Sequence, residues 1–191
     1  MKQLLEKIRQ GHNEAVEGMF RDCSDTIAQL AAACADALND GHKLLFCGNG
    51  GSACDAMHIA GEFVGRFVED RRALPALALT PDSGILTAVA NDYSYEQVFS
   101  RQVEALGQKG DVLITLSTSG TSPNVLKALA VGREKGLRTV LFTGEKARGK
   151  PQVADFTIIV PSLTTAHVQE AHMIALHGLA SLIEAKLFPK N

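Results

Sequence analysis

From Lys2 to Asp40 the apolar positions Leu4, Leu5, Ile8, Ala15, Val16, Met19, Ile27, Leu30, Ala31, Cys34 and Leu38 recur at three- and four-residue steps. That spacing predicts helix. The pair Gly11-His12 and the stretch "DCSD" at 22–25 suggest an interruption, with Ser24 capping a second helix, so two helices or one bent helix are expected. After Gly41 the pattern changes to short apolar runs, "KLLFCG", "LPALAL", "DVLITLS", "RTVLFTG" and "FTIIVP", separated by helix-length segments. The five runs read as buried strands. Helices are expected near 51–66, 83–90, 94–107, 122–135 and 165–187. This alternation predicts an α/β, doubly wound fold: a mainly parallel five-stranded sheet flanked by helices on both faces. Residues 1–191 are expected to form a single domain, with the helices of 1–40 packing on it or on a partner subunit.

Composition changes this picture little but removes several classes of function. The chain has 191 residues, 46% of them hydrophobic and 21% charged, as in ordinary globular domains. A formal charge of −2 provides no broad basic field for nucleic acid. No run of about 18 apolar residues could span a bilayer, and "MKQLLEKIRQ" lacks the apolar stretch of a signal peptide, so a cytoplasmic protein is expected. The four cysteines show no C-x-x-C pairing and read as reduced, mostly buried small hydrophobes.

In open α/β sheets, ligands bind beyond the carboxyl ends of the strands. Two such places are unusual here. The turn "CGNGGSA" follows the first strand directly; its glycines allow close approach of backbone to a ligand, and N–H groups at the next helix start suit an anion or a sugar hydroxyl. It contains neither the dinucleotide fingerprint nor the ATP-binding loop. The second place is "LSTSGTSPN", where Ser117, Thr118, Ser119 and Ser122 surround Gly120, and Ser122-Pro123 has the form of a helix start. Hydroxyls and unpaired N–H groups at a helix N-terminus suit a dianionic phosphate without Lys or Arg. On the helix after the glycine turn, His58 and Glu62 stand four apart on one face, as two ligands of one metal or an acid/base pair would. The last helix carries His167, Gln169, Glu170, His172 and His177, and helical spacing does not choose among them.

Taken together, "CGNGGSACDAMH", "GEFVGRF", "LTAVANDYSYEQVFSRQVEALG", "GDVLITLSTSGTSPNVLKAL" and "VQEAHMIALH" resemble the sugar isomerase (SIS) fold, and within it the phosphoheptose isomerase family. The resemblance covers nearly the whole chain. It implies interconversion of sedoheptulose 7-phosphate and D-glycero-D-manno-heptose 7-phosphate through an enediol(ate), the first step toward ADP-heptose precursors such as those of lipopolysaccharide core. It also implies one zinc per subunit on His58, Glu62, Gln169 and His177, with Glu62 and His177 as the catalytic acid/base pair. Substrate contacts would come from Asn49, Gly50, Gly51, Ser52, Glu62, Asn91, Asp92, Ser117, Thr118, Ser119, Ser122 and Gln169. A homotetramer with sites between subunits is implied as well. Gln169 and His177 lie about 12 Å apart along a helix, so a shared ion needs either a tilted His177 or a second chain. Two departures stand out: His167 where the family has Arg, bearing on one polar contact near the site or interface, and Thr121 where Asn is common, bearing on hydrogen bonding within the loop.

Two readings from other classes compete. A non-catalytic relative of the same fold binds the replication initiator DnaA and ends in a similar "LFP"; the presence of Glu62 and His177 favours the isomerase. A sugar-phosphate sensor of a transcription regulator would need a DNA-reading segment, and none is available.

Overall fold

Five strands, β1 (Leu44–Gly48), β2 (Ala76–Ala78), β3 (Val112–Ser117), β4 (Arg138–Gly144) and β5 (Phe156–Val160), form one sheet in the computed structural model, which describes residues 1–151 and 153–189. The order is β2-β1-β3-β4-β5 and every pair is parallel, with Leu44 opposite both Ala76 and Val112. Six helices surround it: α1 (Lys2–Asn39), α2 (Gly51–Val64), α3 (Ser83–Asp92), α4 (Ser100–Leu106), α5 (Pro123–Glu134) and α6 (Thr165–Leu187). The expected doubly wound α/β fold is the one observed. The central strands are apolar without alternation because both of their faces are covered. Leu44, Phe46, Val112, Ile114, Val140 and Phe142 join α1, α2 and α6 in one core, while Leu45, Cys47, Leu113 and Leu141 join α4 and α5 in the other.

Three expectations change on folding. The N-terminal segment is one helix of 38 residues, without the interruption at Gly11 or Ser24. Ser24 bonds back to the Phe20 carbonyl instead of starting a helix, and Gly11 serves a close contact: a Cβ there would lie 2.4 Å from the His167 ring. His167, the departure from the family's Arg, therefore packs on α1. The run "LPALAL" yields only a three-residue edge strand after Pro75, which has no N–H to pair and whose carbonyl accepts from Leu44 N–H at 3.0 Å. Residues 94–107 split into a 3-10 turn, Tyr95–Gln97, and α4. Cys23, Cys34 and Cys47 are buried and Cys54 is exposed; burial pushes the Cys34 and Cys47 thiols up to about 12. Among the described residues no helix is long and apolar enough to cross a membrane.

Candidate active site

Because every strand is parallel, the turns after β1 and β3 open on the same edge of the sheet, and the two strands are neighbours there. The β1 turn depends on Gly50, whose φ of 57° and ψ of −124° suit only a residue without a side chain. Gly51 permits a close approach, since a Cβ there would stand 2.5 Å from Gln169 Nε2. Ser52 lies beneath the turn, 3% exposed.

Asn49 is held on two sides. Its Nδ2 donates to Asn124 Oδ1 at 2.9 Å, while its Oδ1 accepts from Asn124 Nδ2 at 2.8 Å and from the Tyr95 hydroxyl at 3.1 Å. With the carbonyl oxygen doubly used, one Nδ2 hydrogen remains for a sugar. The amide pair ties the β1 turn to the first turn of α5, behind the second loop. Asn91 and Asp92 are exposed at the end of α3, bonded to each other at 2.8 Å, just before Tyr95 in the chain.

The loop 117–122 joins β3 to α5. Ser122 occupies the N-cap position with Pro123 following, yet its hydroxyl makes no cap bond and instead meets Ser117 Oγ at 2.9 Å. The helix start expected from "SP" is thus in place, while the Ser122 hydroxyl turns to Ser117 and not to the first N–H groups of α5. The Thr121 hydroxyl, where the family commonly has Asn, lies 3.0 Å from Ser119 Oγ and organises the loop from within. Thr118 and Ser119 also line a small cavity of about 40 Å³ with Ser162, Thr165 and Lys146. Lys146 brings a cation to a loop that has none, and the sequence reading missed it. It follows β4, so attention to the end of every strand, and not of two, would have found it.

His58 and Glu62 on α2 face His177 on α6. His58 Nε2 lies 3.2 Å from Glu62 Oε1 and 3.2 Å from His177 Nε2, and one ligand atom from each residue falls within 4.8 Å of the others. Four ligands held tetrahedrally at about 2.0–2.1 Å from zinc stand roughly 3.3 Å apart. The two imidazoles and the carboxylate thus have the donor chemistry of a zinc site, and the two separations of 3.2 Å match its spacing. Phe67 stacks on the other side of His177, ring centroids 5.4 Å apart. Asp55, one turn before His58, has an oxygen without a hydrogen-bond partner, and burial raises its carboxyl above the usual range, opposed by the charge of His58.

Gln169 does not join this cluster within one chain. The helices α2 and α6 both follow strands of a parallel sheet on the same face, so they run in the same direction: Gln169 meets Gly51, and His177 meets His58. The two α6 residues are separated by about 12 Å of helix, and one chain contributes three of the four ligands named from the resemblance. The other α6 side chains have different partners. Glu170 Oε2 pairs with His12 Nδ1 at 2.7 Å, and buried His172 places Nε2 3.2 Å from the Thr143 carbonyl oxygen.

This sheet order places a hydroxyl loop and a glycine turn at one edge of an α/β domain, and the SIS domain family matches residues 9–144. A phosphoheptose isomerase of Geotalea daltonii is 47% identical over 188 residues, covering 97% of this chain and 98% of its own. One from Burkholderia pseudomallei is 51% identical over 166 residues, 87% of this chain and 84% of its own. The structure of the phosphoheptose isomerase of Neisseria gonorrhoeae superposes with a TM-score of 0.87 at 34% identity, covering 96% of this chain and 98% of that one. The chain belongs to the phosphoheptose isomerase family of SIS-domain proteins.

Proposed function

We propose that the protein interconverts sedoheptulose 7-phosphate and D-glycero-D-manno-heptose 7-phosphate, and the observation that carries the reading is the convergence of His58, Glu62 and His177 across the α2–α6 contact. An aldose–ketose isomerisation needs a base at carbon, a group that moves the hydroxyl proton, and stabilisation of the intervening charge. In the ketose-to-aldose direction Glu62 takes a proton from C1 and returns it to C2, while His177 transfers the hydroxyl proton from O1 toward O2 through the enediol. Loop 117–122 anchors the phosphate, with Lys146 beside it. The β1 turn, with Asn91 and Asp92, orients the carbon chain.

His58, Glu62 and His177 would hold zinc. When bound, it supplies electrostatic stabilisation of the negative charge that develops on the substrate oxygens. A fourth ligand from Gln169 requires a neighbouring copy, as the homotetramer with sites between subunits would provide. The product would feed ADP-heptose precursors, in the cytoplasm. The alternative, a protein that binds the replication initiator DnaA, gains nothing from the relatives, which carry the isomerase name.

The test is a panel of five-, six- and seven-carbon ketose phosphates offered to the purified protein in deuterated water. Turnover of the seven-carbon substrate with deuterium at C2 of the aldose is expected. Turnover of none overturns the reading.

A further inference from the structure

The loop that leaves α2 carries a buried charge pair. The side chains of Arg71 and Glu184 are 2% and 5% exposed, with Arg71 Nε 2.9 Å from Glu184 Oε1. The remaining guanidinium nitrogens donate to backbone carbonyls: Nη2 to Glu62 at 2.8 Å, and Nη1 to Phe63 at 2.7 Å, Gly65 at 3.2 Å and Arg72 at 3.1 Å. Carbonyls in the last turn of a helix have no partner within it, and a cation placed there is favourable. Arg71 therefore closes the end of α2 at the residue that carries the Glu62 carboxylate.

Glu184 works on the other side. Its carboxylate accepts from the N–H groups of Phe67 at 3.2 Å, Val68 at 3.2 Å and Glu69 at 3.3 Å. Burial would raise this carboxyl, but the three N–H bonds and Arg71 outweigh it and hold the group below the usual carboxylate range. Glu184 stands seven residues after His177, two turns along the same face of α6. The chain it grips presents the Phe67 ring that stacks on His177 at 23° between planes.

We infer that Arg71 is a positioning residue which, with Glu184, fixes Glu62 and His177 relative to each other across the α2–α6 contact; the inference rests on the isomerase reading above. Arg71 reaches the Glu62 backbone directly, and Glu184 reaches His177 through Phe67. Exchanging a buried ion pair for apolar side chains is often neutral for stability, so the burial of two charges here does not follow from stability alone. Each polar bond of the pair ends on backbone beside the site or on its partner. A guanidinium fork joins Glu62, Phe63 and Glu184 at once, whereas an ammonium is a single point charge on a flexible stem.

The experiment compares wild type, Arg71→Lys and Glu184→Gln for zinc affinity by competition with a chelator, for kcat and KM on sedoheptulose 7-phosphate, and for fold by circular dichroism. In folded Arg71→Lys we expect kcat and zinc affinity each to fall at least about tenfold, the usual cost of disturbing groups behind a metal ligand, with KM within about threefold. Glu184→Gln moves the same readouts in the same direction and carries the test if Arg71→Lys does not fold. A purely structural pair would lower the melting temperature and leave kcat and zinc affinity within about twofold of wild type, which overturns the inference. Failure of both variants to fold overturns it as well. A wild type that binds zinc but turns over no sugar phosphate ends the isomerase reading alone, and zinc affinity in the variants still decides the role of Arg71. A wild type that neither binds zinc nor turns over substrate ends both.

Discussion

Loop 117–122 supplies its hydroxyls from one short stretch of chain, whereas the cluster between α2 and α6 draws His58 and Glu62 from one helix and His177 from the other, 119 residues beyond His58. On the proposed reading, several neutral donors of the loop would share one ligand, each one of many. In the cluster each residue would have a separate task, and its placement depends on how two helices pack. Substitutions in the loop should therefore act in small, graded steps. Those in the cluster should act almost completely.

The sharpest way to break this contrast is Glu62→Gln, which keeps size and an oxygen but removes the base. We expect kcat to fall by about 10²–10⁴ while substrate binding survives. His177→Gln should behave alike, and the double variant should lose little more than either, because the two serve one proton-transfer sequence. Near-normal kcat in each would erase the distinction between cluster and loop.

His172 tests the support beneath the loop. It lies on α6 between the cluster and the loop, packed edge-on to Phe142 and bonded at Nε2 to the Thr143 carbonyl, with Nδ1 lacking a partner. Burial lowers its pKa to about 4 from 6.5, against the smaller opposing effect of that bond. Below pH 6.5 the unfolded chain takes up a proton that the folded chain refuses, so stability falls as the pH drops from 6.5 toward 4. The loss is about 3 kcal/mol at most. Denaturant melts of wild type and His172→Asn across that window should show a shallower acid slope in the variant.

Zinc should stabilise the folded protein, since it would join α2 to α6. At a free concentration 100 times Kd the gain is about 2.7 kcal/mol. Equal melting curves with zinc and with excess chelator would leave the cluster as a metal-free acid/base pair.

The smallest effects belong to the loop. Thr118→Ala should raise KM by the loss of one bond to a charged group, worth about 1.5–3 kcal/mol if nothing replaces it. Exposed Lys146, as Lys146→Ala, should raise KM only a few-fold, about 0.2–1 kcal/mol, and less at high salt. A Lys146 effect larger than that of Thr118 would mean that the phosphate is held mainly by charge.

The same contrast explains what could be read from the sequence. Strand runs flanked by turns, the glycine turn and the hydroxyl loop are local patterns, and each appears where its spacing placed it. Arg71, Glu184, Phe67 and Asn124 carry no local signal. Arg71 sits in "EDRRA", which reads as a solvated charged stretch, and Glu184 resembles any outward-facing helix acid until tertiary packing buries both. A glycine at 11 signals a backbone break locally, whereas in the fold it lets the His167 ring approach an unbroken α1. "SP" marks the start of α5 locally, but the bond from Ser122 to Ser117 exists only once β3 and α5 are in place.

The parallel sheet has one further consequence. Helices α2, α3, α5 and α6 each follow a strand, so all four begin at the edge of the sheet that carries the glycine turn and the hydroxyl loop. The positive ends of their backbone dipoles, each equivalent to roughly half an elementary charge, add at that rim. A chain with a formal charge of −2 can thus turn an attractive potential toward a doubly charged anion. Peptide groups, which no residue count registers, give this protein an electrostatic polarity opposite in sign to its net charge at the rim of the glycine turn and the hydroxyl loop.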